Sequence, residues 1–221
     1  MGIPRRGHVT TRAAVFFDRD GVITEPVPDP LLGTLESPYR PDEVALVPGV
    51  AAAIKELHAA GWLLVVVSNQ PAAAKGTVTL DELENVHERT VELLATERAA
   101  VDAWRYCHHH PRGYGPLGTT CDCRKPAPGM LLAAAAELEI ELPLSWMIGD
   151  SDSDVEAGVR AGCRTILFEH PGSSHRRSTG GRPTAAVETF TEAVAIIGRY
   201  PGSSGAGDPV WSLPRQARMQ P

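Results

Sequence analysis

The 221-residue sequence predicts an α/β fold with a doubly wound, mainly parallel, Rossmann-like sheet. Three observations carry this prediction. Continuous apolar runs such as 13–17 and 63–67 have the length of strands that are covered on both faces. Segments with helical spacing of apolar residues lie between these runs. Polar residues follow the ends of three runs, which is the edge where open α/β sheets bind ligands.

Each element has a local signal. The first helix ends before Gly61, a suitable C-cap, and Thr79 and Glu82 form a capping box ahead of the second. Residues 24–42 are rich in proline, have no clear period and are expected to form a loop over the mouth of the site. The predicted strands cover residues 13–17, 63–67, 103–106, 145–148 and 165–168. The predicted helices cover residues 50–60, 81–100, 130–138 and 155–161, and the segment 186–197 contains the last one.

Length and a hydrophobic content of 43% predict one domain over residues 13–199, with an N-terminal extension over 1–12 and a disordered tail over 200–221. Residues 170–183, rich in Gly, Ser and Arg, are expected to be a mobile loop. A net charge of −6 argues against a nucleic-acid-binding protein. Because the chain has no long apolar run and no signal-peptide core, we expect a cytoplasmic monomer without membrane contact.

Two acids and a glycine, Asp18, Asp20 and Gly21, directly follow the first predicted strand. At the end of a buried strand such residues can bind a ligand, but they also form ordinary turns. A calcium loop is the other alternative, but that loop needs glycine at its sixth position, and here it comes three residues after Asp18. The tip of the second strand carries Ser68, Asn69 and Gln70. Their hydroxyl and amides suit phosphate oxygens, although a polar turn is again the alternative.

A cysteine- and histidine-rich segment, the zinc loop 107–123, follows the third predicted strand. Cys107, Cys121 and Cys123 with one histidine would complete a closed tetrahedral zinc site, which indicates a structural role. Spacing alone does not decide which histidine is the fourth ligand, because any of three neighbouring histidines could reach the metal. The three candidates are His108, His109 and His110.

Two further motifs contain charged residues. Arg124 and Lys125 lie between the cysteines and a proline-rich stretch, so both are held at small entropic cost and suit phosphate recognition. The fourth predicted strand ends in Gly149, and three alternating acids follow. A calcium loop does not fit these acids, because valine and alanine occupy the positions that need glycine and glutamate. The three acids are Asp150, Asp152 and Asp154.

Taken in order, these motifs resemble the four motifs of the haloacid-dehalogenase-like phosphohydrolases over residues 13–168. The resemblance implies that Asp18 attacks phosphorus, that Asp20 transfers protons and that Lys125 neutralises the phosphoryl group. It also implies that Ser68 holds the phosphoryl group and that Arg124 contacts the substrate. Mg2+ would be held by Asp18, Asp150 and the main-chain oxygen of Asp20, with Asp154 as a supporting acid. The subfamily with a zinc loop at this place matches His109 as the fourth zinc ligand.

These implications define an expected function, which is Mg2+-dependent hydrolysis of a small phosphorylated metabolite through an aspartyl phosphate. About fifty residues separate Asp18 from Ser68, which leaves no room for a large cap domain. The zinc-loop subfamily acts on sugar bisphosphates and histidinol phosphate, and we expect D-glycero-D-manno-heptose 1,7-bisphosphate, with histidinol phosphate as the alternative. Residues 22–24 and 72–76 depart from the usual sugar-phosphatase strings. A non-catalytic, zinc-stabilised binding module is the alternative of another class.

Overall fold

The computed structural model describes residues 12–28, 35–177 and 181–200. Its strands are β1 Ala14–Phe17, β2 Val27–Pro28, β3 Leu35–Glu36, β4 Leu63–Asn69, β5 Ala103–Cys107, β6 Trp146–Gly149, β7 Arg164–Phe168 and β8 Ala185–Val187. Six of them form a parallel sheet in the order β5–β4–β1–β6–β7–β8, which confirms the predicted fold class. The antiparallel pair β2–β3 forms a separate two-stranded hairpin.

Helices cover both faces of the sheet, so it is doubly wound. The five helices are α1 Val50–Ala59, α2 Leu80–Thr96, α3 Gly129–Leu138, α4 Asp152–Ala161 and α5 Phe190–Ile197. Alternate strand residues point to opposite faces. On one face Phe17 packs in a core with α1 and α5, and on the other Phe16 packs in a core with α3 and α4. Within the described residues, no large cap domain is inserted.

Two helix boundaries differ from the prediction by three residues or more. The second helix ends at Thr96 rather than at residue 100, because Arg98 turns the chain with φ 57° and buried Ala99 leads into β5. The fourth helix begins at Asp152 rather than at residue 155. The last helix lies within the predicted segment 186–197 and begins at Phe190, because Thr189 accepts a hydrogen bond from the Glu192 amide and caps it there. The preceding residues form β8, a strand that the sequence analysis missed.

The two predicted loops contain structure and contact each other. Residues 24–42 include the β2–β3 hairpin and a 3-10 helix, Pro41–Glu43, and residues 170–177 include a 3-10 helix, Pro171–Arg176. His170 Nε2 lies 2.9 Å from Glu25 Oε2 and joins the two segments. Together they form a roof at one side of the sheet's carboxyl edge.

Both predicted terminal segments lie largely outside the described residues, which exclude 1–11 and 201–221. Arg12, predicted to be part of the extension, already forms a bridge with Ile140. Tyr200, predicted to begin the tail, packs edge-on against Trp146 with ring centroids 5.3 Å apart. None of the helices in the described ranges is long and apolar enough to cross a membrane.

Candidate active site

Three acidic residues meet at the carboxyl edge of the sheet. Asp18 follows β1, Asp150 follows β6, and Asp154 lies in the first turn of α4. All three are buried, and each offers a carboxylate oxygen within 4.8 Å of the others. They converge because β1 and β6 are paired and parallel, so that their carboxyl ends lie side by side.

Gly21 lets the chain turn back closely over these acids. Its φ is 85°, in the left-handed region that favours glycine. A Cβ at this position would lie 2.1 Å from Asp150 Oδ2, well inside contact distance. Glycine is therefore required here both by the backbone and by the neighbouring carboxylate.

The Asp150 carboxylate has the properties of a metal ligand. Its Oδ1 is buried and has no hydrogen-bond partner, whereas Oδ2 accepts a hydrogen bond from the Ser173 hydroxyl. Burial raises the pKa of Asp150 to about 8, and the charges of Asp154 and Asp18 add to this effect. A buried, unpaired oxygen among carboxylates is the arrangement expected of a cation-binding site, and oxygen donors suit Mg2+. These residues therefore fit magnesium.

The acid cluster includes Asp154, which the sequence analysis assigned a supporting role. Its Oδ1 lies 2.6 Å from Lys125 Nζ. Its Oδ2 accepts hydrogen bonds from Ser151 N at 3.1 Å and from Ser151 Oγ at 2.6 Å. Asp154 Oδ1 forms an ion pair with Lys125 but receives no well-directed hydrogen bond, whereas Asp150 Oδ1 has neither kind of partner. Asp154 is therefore suited to holding Lys125, and Asp18 and Asp150 remain the better metal ligands.

Lys125 is buried beside the predicted nucleophile. Its Nζ lies 2.9 Å from Asp18 Oδ1 and donates a hydrogen bond to Val67 O at 2.7 Å. Burial opposes the charged amine, but Asp154 and Asp18 outweigh it and raise the pKa of Lys125 above its ordinary value. The same environment acts oppositely on Asp18, where burial raises the pKa to about 6 against the charge of Lys125. The site thus holds the Lys125 cation in a fixed position beside the Asp18 carboxylate.

Asn69 positions Lys125 through its backbone. The Asn69 side chain accepts a hydrogen bond from Lys125 N at 3.0 Å and donates one to Lys125 O at 2.9 Å. A side-chain amide carries both a donor and an acceptor, so it can pair with the N–H and the C=O of one residue at the same time. Asn69 was expected to bind the phosphate. It lines the cavity, and both ends of its amide engage Lys125.

Asp20 is surrounded by hydrogen-bond donors. Arg19 Nε and Nη2 contact its two oxygens at 2.8 and 3.1 Å, and Gln70 Nε2 donates to Oδ2 at 2.7 Å. Ser37 Oγ donates to the same oxygen at 2.7 Å, and Thr24 Oγ1 donates to Oδ1 at 3.0 Å. Burial disfavours the carboxylate, but the Arg19 charge and these hydrogen bonds prevail and lower the pKa of Asp20 to about 2. Asp20 is therefore ionised in the resting site.

The remaining strand-tip residues lie between these acids. Ser68 is buried beneath the cavity, and its Oγ accepts a hydrogen bond from Gln70 Nε2 at 3.1 Å. Gln70 Oε1 accepts from Arg19 Nη2 at 2.8 Å, so its amide connects Ser68 with the Arg19–Asp20 pair. Gln70 is thus engaged in holding Asp20, while the Ser68 hydroxyl can rotate to donate to a ligand.

A cavity of about 320 Å³ opens above these residues. Asp18 and Asp20 line it, as do Lys125 and the strand-tip residues Ser68, Asn69 and Gln70. Further lining residues surround its mouth: Glu36, Ser37, Tyr39, Lys75, Arg124 and Arg176. The cavity holds roughly ten waters by volume, which is far more than a phosphoryl group needs. It therefore has room for the rest of a small metabolite.

Sequence reasoning missed several residues of this cavity. Residues 24–42 were expected to lie over the mouth of the site, but their side chains Ser37 and Tyr39 were not singled out. Arg176 comes from the segment 170–183, which was expected to be mobile. Ser173, in the same 3-10 helix as Arg176, is buried against Asp150. The one available signal was the pair Arg176 and Arg177 within a Gly/Ser-rich stretch. This signal is weak, because such charges commonly indicate only a solvated loop.

The predicted zinc ligands also converge. Cys107, His109, Cys121 and Cys123 each offer a donor atom within 4.8 Å of the others, and the cysteines form no disulfide. The three sulfurs lie 3.1, 3.2 and 3.6 Å apart, and His109 Nδ1 lies 3.3 Å from Cys123 Sγ. A tetrahedron with Zn–S bonds of about 2.3 Å has edges of roughly 3.8 Å. The donors therefore fit a closed zinc site, with His109 rather than its neighbours.

Comparison with known proteins agrees with the site geometry. A family model described as HAD-hydrolase-like matches residues 122–193, the part of the chain that contains Lys125, Asp150 and Asp154. A D-glycero-beta-D-manno-heptose-1,7-bisphosphate 7-phosphatase from Rhodopseudomonas palustris is 38% identical over 159 residues, which span 72% of this chain and 84% of that protein. An enzyme of the same name from Escherichia coli K12 is 36% identical over 162 residues, or 72% and 80%.

A solved structure shows the same architecture. The D,D-heptose 1,7-bisphosphate phosphatase from B. bronchiseptica, complexed with magnesium and phosphate, superposes with a TM-score of 0.70 and 29% identity. The superposition covers 85% of this chain and 98% of that one. The similarity thus extends over nearly the whole length of the related protein and includes both strand tips that carry acids.

Proposed function

Because this chain belongs to the haloacid-dehalogenase-like phosphatases, we propose that it removes the 7-phosphate of D-glycero-D-manno-heptose 1,7-bisphosphate through an aspartyl phosphate. One observation carries the proposal: Asp18, Asp20, Lys125 and the metal-type ligand Asp150 lie together at the carboxyl edge of the sheet. The heptose bisphosphate is favoured because the relatives that match most of the chain have that activity. Histidinol phosphate has no comparable support.

The first step uses Asp18 as the nucleophile. Its carboxylate attacks phosphorus, the bond from phosphorus to the sugar oxygen breaks, and the phosphoryl group is transferred to Asp18. Lys125, 2.9 Å from Asp18 Oδ1, offsets the charge of the incoming phosphate, and the Ser68 hydroxyl can donate to a second oxygen. Lys125 is already held in this position by Asn69 and by the main-chain oxygen of Val67.

Magnesium would be held by Asp18 and Asp150, with the main-chain oxygen of Asp20 as the further ligand expected from the family pattern. When bound, it supplies positive charge that screens repulsion between the carboxylates and the phosphate. Asp154 contributes indirectly by anchoring Lys125 beside the same site.

Asp20 is proposed to transfer the protons. It gives a proton to the leaving sugar alkoxide, then takes one from the water that hydrolyses the aspartyl phosphate. The resting site favours the ionised form of Asp20, which is the form that can accept a proton from the water. The first role requires that the negative charge of the bound phosphate raise the pKa of Asp20 before the bond breaks.

We expect Asp20→Asn to slow the first step according to the leaving group. A sugar alkoxide needs the proton, so its release should fall by about a hundredfold or more, whereas p-nitrophenolate leaves unaided and should lose less than about tenfold. Single-turnover measurements of phosphorylation separate this step from hydrolysis of the intermediate, which the variant impairs for both esters. Equal losses of the two leaving groups in the first step would contradict the acid role.

A panel of phosphorylated metabolites tests the substrate. It contains both anomers of heptose 1,7-bisphosphate, other sugar bisphosphates, histidinol phosphate and a small generic ester, each assayed with magnesium. We expect a heptose bisphosphate to give the highest kcat/KM. A tenfold preference for histidinol phosphate would reject the sugar and keep the phosphatase. No turnover of any ester would favour the non-catalytic binding module.

Arg124→Ala is expected to raise KM for the heptose bisphosphate by about tenfold, with little change for a small generic ester. Arg124 Nη1 donates to His109 O at 3.3 Å, which places the guanidinium at the cavity mouth beside the zinc ligands. It therefore contacts a remote group of the substrate, and losing it removes binding energy alone. A similar loss for the small ester would assign Arg124 to the transferring phosphate instead.

A further inference from the structure

Among the described residues, Arg176 is one of four cations that line the cavity, with Lys75, Arg124 and Lys125, and it faces the cavity from the side opposite to Arg124. Arg124 is reached through the zinc loop after β5, whereas Arg176 follows β7. In the sheet order, β4 and β1 lie between β5 and the pair β6–β7, so Asp18 at the end of β1 is flanked by the two arginines. Both side chains line the cavity.

The backbone of Arg176 is fixed by contacts on three sides. Ser173 of the same 3-10 helix donates to Asp150, and Arg177 Nη2 donates to His170 O at 3.2 Å. Gly172 packs so closely on the hairpin that a Cβ there would lie 2.5 Å from Leu35 Cδ1. A guanidinium on such a support loses little entropy when it binds a ligand.

The Arg176 guanidinium is placed to accept an anion. Its Nη1 lies 3.8 Å from Asp150 Oδ2, which is too far for a hydrogen bond. The side chain is 26% exposed, so that its charge is shielded from bulk water yet open to the cavity. Lys125 and Ser68 already serve the transferring phosphoryl group at Asp18, and the cavity has room for a larger molecule. Arg176 is thus available for a group elsewhere on that molecule.

The geometry points to Arg176 as a specificity-determining residue that binds the second phosphate of a bisphosphate substrate, away from the phosphoryl group that is transferred. This inference deepens the proposed function and rests on it only for the identity of the sugar. It gives the roof formed by residues 170–177 and the β2–β3 hairpin a role in substrate choice.

Two matched substrates test it, heptose 1,7-bisphosphate and heptose 7-phosphate, which differ in the second phosphate alone. Arg176→Gln should lower kcat/KM for the bisphosphate by about tenfold to a hundredfold, mainly through KM, and change the monophosphate by less than about threefold. Arg176→Lys should restore part of the loss because it retains the charge. The control Arg182→Gln removes a charge from an exposed arginine that does not line the cavity, and it should leave the ratio of the two substrates unchanged.

Equal losses with both substrates, or no loss with either, would overturn the assignment. A change of the ratio in the Arg182 control would also overturn it, because the effect would then follow from the loss of any positive charge nearby and not from Arg176. If the parent enzyme prefers another bisphosphate, the same comparison uses that sugar and its monophosphate. In that case the proposed substrate fails while the role of Arg176 is still decided.

Discussion

Asp18→Asn is expected to lower kcat for every phosphate ester by more than about a thousandfold while the protein stays folded. The amide has nearly the shape of the carboxylate, but its oxygen is not a nucleophile towards phosphorus. Because the aspartyl phosphate cannot form, the loss should not depend on the leaving group, unlike that of Asp20→Asn. Steady-state rates with heptose bisphosphate and p-nitrophenyl phosphate give the comparison.

The fold should tolerate this change for reasons visible at the site. The Asp18 backbone still donates to Ile148 O at 2.9 Å, and Lys125 keeps Asp154 and Val67 as partners. Since burial raises the pKa of Asp18 to about 6, the carboxylate stays mostly ionised at neutral pH, but its charge is less favourable in the folded site than in the unfolded chain. A neutral amide therefore removes an unfavourable charge, and we expect the melting temperature to equal or exceed that of the parent.

The control for this experiment is Asp42→Asn, the same chemical change at an exposed residue in the 3-10 helix Pro41–Glu43. It should leave both kcat and the melting temperature unchanged. If Asp18→Asn retains activity within tenfold of the parent on any good substrate, Asp18 is not the nucleophile. The aspartyl-phosphate mechanism then falls with it, whatever the structure of the variant.

The strands and their tips could be predicted because the signal is local. In a parallel sheet each aliphatic run is buried on both faces, and all carboxyl ends meet at one edge. Knowing that Asp18, Ser68 and Asp150 each follow such a run was enough to bring them together. The missed strand β8 has only three residues, Ala185–Val187, which is too short to show a period. Its pairing with β7 is decided by tertiary contacts.

The side chains that were missed or misassigned depend on contacts between distant parts of the chain. Asn69 holds a residue 56 positions away, and Ser173 donates to an acid 23 positions earlier. Nothing in the local sequence distinguishes such an amide from one that binds phosphate. Arg176 enters the cavity only because its 3-10 helix packs on the β2–β3 hairpin. Chemistry close to the strand tips was thus predictable. Of the roof, the position of residues 24–42 over the site was predictable, while the side chains that enter the cavity and the part played by residues 170–177 were not.

Cys121→Ser is expected to abolish zinc binding and to lower the melting temperature by about 10 °C or more. The reason is that a closed thiolate site contributes folding free energy, and the three sulfurs lie within 3.6 Å of one another around one position. The parent should contain one zinc per chain by elemental analysis. Brief EDTA treatment followed by Mg2+ should restore catalysis, because the proposed catalytic cation is a separate one that Asp18 and Asp150 would hold.

The control for the cysteine change is Cys163→Ala, which removes a buried thiol outside the zinc cluster. It should keep the zinc and lose at most a few degrees in melting temperature, as expected for a small core truncation. A parent without zinc, or a Cys121→Ser variant that melts like the parent, would show that the cysteines do not form a structural metal site.

Loss of zinc should also affect Arg124 and Lys125, the two basic residues that follow the zinc loop, to different degrees. Lys125 keeps anchors outside the zinc loop, since Asn69 holds its backbone and Val67 O accepts from its amine. Arg124 contacts His109 O, whose position depends on the metal. In Cys121→Ser assayed below its melting temperature, KM for the heptose bisphosphate should therefore rise about as much as in Arg124→Ala, while kcat falls less than about fivefold. A variant that instead loses kcat with unchanged KM would show that the zinc loop positions Lys125.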